Sequence, residues 1–263
     1  MNDLDSPEEA DPATEIAPPD VVLVRPRSPW WAIAATMAIA MAATICQVVA
    51  VGVYLGATQA TGSRAEFEEA LEGLMHNGML LSIVTWLGFV ISVPSIFMAA
   101  KWVNRGNGGE YLGWRWPTGK QTAGWLLALV GLLLLYESLS SMGGPSSTPA
   151  FMTDIYRTAG IPALLWLTIV VAAPIGEELM FRGLLFEGLS RSVFGVVGAT
   201  LVTSFLWAAI HTQYEATVIM QIFVVGLLFA AARRSTESVI LCILMHAMMN
   251  FLAMVQVIAV LRQ

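Results

Sequence analysis

Long apolar segments recur along this chain, and they limit its possible folds more than any other feature. In a bilayer, only helices and closed barrels satisfy their own backbone hydrogen bonds, and a crossing helix needs about 20 apolar residues. Seven segments near that length follow one another, at 30–55, 79–101, 121–140, 160–189, 196–213, 216–232 and 238–261. The pattern therefore predicts an all-α polytopic bundle with about seven or eight transmembrane helices.

The charge content supports a membrane protein. Of the 263 residues, 57% are hydrophobic and only 12% are charged, whereas soluble domains carry about 25% charged residues. One core cannot hide such an apolar excess, so much of it must face the lipid bilayer. The formal net charge of -6 argues against the basic surface that nucleic-acid binding requires.

The distribution of charged and apolar residues divides the chain into three regions. Residues 1–28 hold seven acidic side chains and several prolines, a composition that predicts a disordered cytoplasmic tail. Residues 29–119 are predicted to form N-terminal membrane helices. Residues 120–263 are predicted to form the membrane core, because they carry the polar motifs described below.

The loops between the apolar segments indicate an orientation. Basic residues collect in the loop at 101–120 and at the end of the sixth segment, whereas the loops at 56–78 and 141–159 hold one arginine each. By the positive-inside rule, the more basic loops lie in the cytoplasm. We therefore expect a multi-pass protein of a cell membrane, most simply a bacterial inner membrane, with its N-terminus in the cytoplasm.

One apolar segment carries charged residues, which are costly within a bilayer and so are functional candidates. Residues 174–183 run Pro-Ile-Gly-Glu-Glu-Leu-Met-Phe-Arg-Gly. Glu178 and Arg182 are four residues apart, so on a helix they share a face and can pair. Glu177 points about 100° away from Glu178. This spacing predicts a supporting ion pair, Glu178 with Arg182, beside a separate carboxylate, Glu177.

Two of the three histidines lie within or at the ends of later apolar segments. Glu177 precedes Phe194 by 17 residues and His211 follows it by 17, so a hairpin turning there would place both at about 25 Å from the turn. His246 and Asn250 are four residues apart and face the same way on the last segment. We expect these four polar residues to meet at one site.

This set of side chains has the chemistry to hydrolyse an amide. Glu177 can accept a proton from water as a general base assisted by His211, while His246 and Asn250 can donate hydrogen bonds to the oxyanion. Neither a GxSxG nor an HExxH motif is present. Catalysis without a cofactor is the favoured interpretation. Zinc is the alternative, with Glu177, His211 and His246 as its ligands, because two histidines and a glutamate form a known catalytic zinc set.

The order of these residues resembles the CPBP family of intramembrane proteases, which includes the type II CAAX prenyl endopeptidases and the bacteriocin-processing Abi proteins. Residues 120–261 carry the resemblance in three motifs, Glu177-Glu178-x-x-x-Arg182, Trp207-x-x-x-His211 and His246-x-x-x-Asn250. The resemblance implies that Glu177 activates water and that His211 assists it. It also implies that His246 and Asn250 stabilise the oxyanion.

The second motif departs from the family pattern. The family usually has Phe four residues before the histidine, and Trp207 stands at that position here. A tryptophan keeps an aromatic wall, so we expect a reshaped pocket rather than a lost activity. The resemblance assigns Glu178 and Arg182 a supporting role, and Trp207 is expected to act with them.

The sequence thus predicts an intramembrane endopeptidase that acts on a peptide or membrane-protein substrate in contact with the lipid bilayer. Two other classes stay open. A non-catalytic immunity factor or scaffold could keep the motifs for packing. A transporter could use Glu177 and the histidines as a proton path, although the first half of the chain lacks matching charges. No motif identifies the substrate or the oligomeric state.

Overall fold

The computed structural model describes residues 30–59, 76–104, 106–142 and 149–263, with isolated positions between 63 and 74. Within these four ranges the chain forms helices and no strands. We number the helices in chain order as α1 Trp30–Gln59, α2 Gly78–Val103, α3 Gly108–Leu112, α4 Gly119–Ser141, α5 Ala150–Arg157, α6 Pro162–Ser190, α7 Gly195–Ala209, α8 Ala216–Thr236 and α9 Val239–Leu261.

Six helices in the described part of the chain are long and apolar enough to cross a membrane, and α7 is a shorter apolar helix of 15 residues. Large apolar side chains point outward from them, including Met98 at 70% exposure and Trp102 at 79%. Exposed apolar surface on this scale is expected where helices contact lipid. The predicted all-α membrane bundle is therefore confirmed, with six candidate spans and one shorter apolar helix.

The fifth predicted segment, 196–213, ends earlier than its apolar pattern indicates. α7 ends at Ala209, and residues 210–215 form the connection to α8. Polar residues follow the helix, and the His211 ring donates from Nδ1 to the carbonyl oxygen of Trp207 at 2.7 Å. This bond satisfies one of the carbonyls that a helix leaves unpaired at its C-terminal end. His211 therefore lies in the turn after α7 and not within a span.

The winding of α6 changes twice around the two adjacent glutamates. Thr168–Ala172 and Leu179–Leu185 are π-helical, and Ala173–Glu178 between them is α-helical. Pro174 has no N–H to donate, and a locally wider turn is one way to accommodate the missing hydrogen bond. Such π turns are rare and frequently occur at functional sites. Both glutamates thus lie on a short α-helical section bounded by two irregular turns.

The core beside this section is built by α4, α6, α7, α8 and α9. Its buried side chains include Leu129, Phe181, Trp207, Phe229, Leu241 and Met245. α8 approaches α6 and α7 closely at Gly226, where a Cβ atom would meet Ser204 Cβ at 3.0 Å and a terminal nitrogen of Arg182 at 3.2 Å. The missing side chain at Gly226 therefore makes room for the Arg182 guanidinium inside the bundle.

Helices α1 and α2 also pack against α6. They contribute to a second apolar cluster whose buried members include Ile39, Ile96, Leu112, Leu179, Leu184 and Val239. The predicted N-terminal helices therefore contact the predicted core directly, and the division into 29–119 and 120–263 stays a prediction. The predicted disordered tail at 1–28 lies outside the described residues.

Candidate active site

A cavity of about 1110 Å³ lies between the helices of the bundle. Its wall is mostly apolar and includes side chains from α1, α2, α4, α5, α6, α8 and α9, and from the turn after α7. The four residues predicted to act on a peptide bond all line it, and they are Glu177, His211, His246 and Asn250. The structure thus brings the predicted set to one hollow, while the role of each residue stays a prediction.

Glu177 is half-buried at the cavity wall, and one of its carboxylate oxygens is held in place. The indole N–H of Trp207 donates to Oε2 at 2.6 Å, and Trp207 is fully buried. Among the described residues, the other oxygen, Oε1, has no protein partner. A carboxylate held in this way keeps one oxygen with which to accept a hydrogen bond from water or a substrate.

Glu178 forms the ion pair that its spacing from Arg182 predicts. Arg182 Nη1 donates to Glu178 Oε1 at 3.1 Å, and both side chains are completely buried. The guanidinium lies 4.4 Å from the centre of the Trp207 ring and 5.4 Å from that of Phe229. It also donates to the carbonyl oxygen of Gly226 at 3.3 Å. These contacts offset part of the cost of burying the arginine, whose Nε has no hydrogen-bond partner among the described residues.

His246 has a partner that the sequence spacing did not indicate. Its Nδ1 lies 2.9 Å from Glu178 Oε1, and the ring is only 3% exposed. An ionised carboxylate can only accept hydrogen bonds, so Nδ1 carries the hydrogen in this contact. Nε2 is then bare in the neutral ring and donates only when the ring is doubly protonated. The predicted oxyanion role therefore requires the doubly protonated ring, in which Nε2 also carries a hydrogen.

His211 is oriented by its bond to the Trp207 carbonyl. A carbonyl can only accept, so Nδ1 carries the hydrogen and Nε2 presents a lone pair. The ring lies nearly parallel to that of Tyr214, with 6.1 Å between centroids and 13° between planes. Burial raises the pKa of Tyr214 to about 12, so its phenol stays neutral beside the imidazole. His211 is thus set to accept a hydrogen bond through Nε2.

Asn250 connects α9 to the first π-helical turn of α6. Its Nδ2 donates to the carbonyl oxygen of Ile169 at 2.8 Å, and the side chain also lines the cavity. A carboxamide has two N–H groups and one acceptor oxygen. One N–H therefore fixes the side chain while the other can serve a ligand, as an oxyanion donor must.

The alternative prediction is a zinc site formed by Glu177, His211 and His246. Within the ranges that the structure describes, no three His, Cys, Asp or Glu side chains group so as to hold a metal ion. Nδ1 of His211 and Nδ1 of His246 each bind a protein acceptor, and Glu177 Oε2 is bound to Trp207. Histidines that bind a metal through Nε2 commonly have such an Nδ1 contact, so the zinc alternative stays a prediction.

Several contacts of the site were not predicted. Sequence reasoning assigned Trp207 only an aromatic wall, whereas its N–H binds Glu177. The exchange of Phe for Trp at this position is the one signal that could have indicated the hydrogen bond. No motif marks Tyr214 or Phe229, and the contact between His246 and Glu178 joins residues on different helices.

Comparison with known proteins agrees with the motifs. Residues 159–252 match the family model of Rce1-like type II CAAX prenyl endopeptidases. A protein of Escherichia coli, described as an uncharacterized 24.3 kDa protein, is 34% identical over 121 residues, which are 44% of this chain and 54% of that protein. The chain thus spans about half the length of the curated relative that it matches. No solved structure matches.

The matched segment begins just before α6 and ends within α9, so it contains the three motifs and the helices that position them. The resemblance inferred from those motifs is therefore confirmed. The match of residues 159–252 to the Rce1-like type II CAAX prenyl endopeptidase model is consistent with the CPBP family.

Proposed function

We propose that this protein is an intramembrane endopeptidase in which Glu177 activates a water molecule to attack a peptide bond. The observation that carries the proposal is the presence of all four predicted side chains on one cavity, much of whose wall comes from helices apolar enough to cross a membrane. The family matched by residues 159–252 is a family of endopeptidases, which supports the reaction class.

Glu177 and His211 together suit the activation of water. In the proposed reaction, Glu177 Oε1 and His211 Nε2 each accept one hydrogen of the water, which directs an oxygen lone pair toward the substrate carbonyl. The proton passes to Glu177 as the new carbon–oxygen bond forms. Glu177 then returns that proton to the amide nitrogen as the carbon–nitrogen bond breaks. This route needs no covalent intermediate between enzyme and substrate.

His246 and Asn250 are the proposed donors to the oxyanion. Asn250 offers the N–H that Ile169 does not use, and the imidazolium of His246 offers Nε2–H. Glu178 Oε1 lies 2.9 Å from His246 Nδ1 and orients the ring. Donors of this kind act most strongly where water is excluded, because the local dielectric constant is low.

The cavity also suggests the kind of substrate. Its mostly apolar wall between candidate membrane helices suits a peptide or membrane-protein segment that is apolar beside the scissile bond. From the basic loops, we infer a cell-membrane location with the N-terminus in the cytoplasm.

The experiment that tests the function is incubation of purified full-length protein, in lipid nanodiscs, with a pool of peptides that are apolar beside the bond to be cut. Mass spectrometry then identifies new C-termini. Products that form equally with Glu177→Ala would contradict the proposal.

We expect cleavage to continue in the presence of a strong metal chelator, because no three His, Cys, Asp or Glu side chains among the described residues group so as to hold a metal ion. The measurement is kcat/KM with and without chelator, together with metal analysis of the purified protein. Loss of activity that zinc restores, with one zinc ion per chain, would contradict this expectation. It would favour the alternative in which Glu177, His211 and His246 bind the metal.

Asn250→Ala is expected to lower kcat by about 10²–10³-fold with a smaller effect on KM, because an oxyanion donor acts mainly in the transition state. Steady-state kinetics on one cleaved peptide provide the measurement. The control is Asn104→Ala, since Asn104 lies at the end of α2 and donates to the carbonyl oxygen of Asn107, away from the cavity. An unchanged kcat for Asn250→Ala would remove this residue from the mechanism.

A further inference from the structure

Trp207 stands where the family resemblance leads us to expect Phe, and the exchange adds a hydrogen-bond donor that a phenyl ring lacks. The indole N–H can donate a hydrogen bond but cannot accept one. Here it donates to Glu177 Oε2 at 2.6 Å, a short distance of the kind found in charge-assisted bonds. The Trp207 side chain is 0% exposed, so water does not compete for this contact.

The contact between Trp207 and Glu177 Oε2 also affects Oε1, the other oxygen of the carboxylate. A glutamate side chain has several rotatable bonds, and small misplacements of a catalytic group are costly to the reaction rate. A buried donor on Oε2 restricts the rotation of the Glu177 carboxylate. Oε1, which has no protein partner among the described residues, then remains as the oxygen that can accept from water.

The main chain of Trp207 orients the second water-binding group. Its carbonyl oxygen accepts the His211 Nδ1 hydrogen at 2.7 Å, which fixes the tautomer with a lone pair on Nε2. One residue thus contacts both groups that the proposed reaction uses to hold water, through its side chain on Glu177 and through its backbone on His211.

The Trp207 ring is itself held on its face and its edges. The Arg182 guanidinium lies 4.4 Å from the ring centre, and the Phe229 and His246 rings lie 5.6 Å and 5.2 Å away. The Arg182 guanidinium, which pairs with Glu178, therefore helps to fix the ring whose N–H binds Glu177.

We propose that Trp207 is a positioning residue, whose indole N–H holds the Glu177 carboxylate and whose carbonyl fixes His211, so that both present an acceptor to the same water. The kinetic consequence rests on the proposed peptidase function. The contact between Trp207 and Glu177 does not, and it can be measured in a protein without a known substrate.

The first experiment measures the contact by NMR of full-length protein labelled with ¹⁵N at the tryptophan indoles. The Trp207 signal is identified as the one that Trp207→Phe removes. Glu177→Gln replaces the charged acceptor with a neutral one, so the signal is expected to move upfield. Glu137→Gln is the matched control, because Glu137 lines the same cavity, and it should leave the signal in place. A Trp207 signal that Glu177→Gln does not move would overturn the proposal.

The second experiment measures kinetics on a cleaved peptide. Trp207→Phe is expected to lower kcat by about 10- to 100-fold, the effect of losing a hydrogen bond to a charged group, with KM nearly unchanged. Incorporation of benzothienylalanine at position 207 replaces the N–H with sulfur in a ring of the same shape. It should lower kcat equally while the protein keeps its fold. The control Trp166→Phe, at a ring that packs on Phe251, should leave kcat unchanged.

The outcomes separate this inference from the proposed function. Wild-type kcat in the benzothienylalanine protein would overturn the positioning role even if the NMR contact is present. If wild-type protein cleaves no peptide, the proposed function fails, and the response of the indole signal to Glu177→Gln still decides whether Trp207 holds the carboxylate.

Discussion

Glu177→Gln is expected to lower kcat/KM for peptide cleavage by about 10²–10⁴-fold, the usual contribution of a general base. A carboxamide cannot take a proton from water, yet its oxygen can still accept the Trp207 indole hydrogen at the position that Glu177 Oε2 occupies. The variant should therefore keep the wild-type fold and melting temperature. The measurements are steady-state kinetics in nanodiscs and thermal unfolding of the same preparations.

Glu137→Gln is the control for this prediction, since it removes a second carboxylate from the wall of the same cavity. It should leave kcat/KM close to the wild-type value. Full activity in Glu177→Gln would contradict a glutamate mechanism. In cells, a phenotype that survives Glu177→Gln would instead favour a non-catalytic scaffold or immunity role, which uses the motifs only for packing.

Glu178→Ala is expected to lower the free energy of unfolding by about 3–5 kcal/mol, which is the cost of removing one partner from a buried ion pair. Arg182 and His246 both bind Glu178 Oε1, and each would lose its acidic partner inside the bundle. The effect differs from that of Glu177→Gln, because Glu178→Ala is expected to lower the free energy of unfolding, whereas Glu177→Gln is expected to lower only the rate of cleavage. Unfolding of reconstituted protein by heat or by denaturing detergent gives the measurement.

The matched control is Glu237→Ala. Glu237 pairs with Arg115 at the protein surface, where both side chains are more than half exposed. An exposed pair of this kind contributes about 0–1 kcal/mol, so little change in stability is expected. Equal stabilities of Glu178→Ala and Glu237→Ala would show that the buried contacts of Glu178 with Arg182 and His246 do not hold α6 to α9.

The sequence was most informative where the physical rule is local. Helix spacing predicted that Glu178 pairs with Arg182 and that Glu177 points elsewhere, and both are observed. Apolar length predicted the positions of the long helices, because a bilayer demands a minimum span. The motif order predicted that four polar residues from three segments line one cavity.

The remaining features depend on contacts between helices, which local patterns do not encode. The bond from His246 to Glu178 requires α9 to pass beside α6, and nothing in the spacing of either segment specifies that. The early end of α7 depends on a side chain capping the helix. The π-helical turns of α6 lie inside a long apolar segment whose pattern does not reveal them. Helix α5 is too short to form an apolar segment of membrane length.

We propose that peptide bonds are cut in the cavity that Glu177, His211, His246 and Asn250 line. The most direct measurement is an experimental structure of Glu177→Gln in nanodiscs with a bound peptide that wild-type protein cleaves. We predict that the scissile carbonyl lies beside residue 177, with its oxygen toward His246 and Asn250. A peptide bound elsewhere on the protein, with this cavity occupied only by lipid, would contradict the claim.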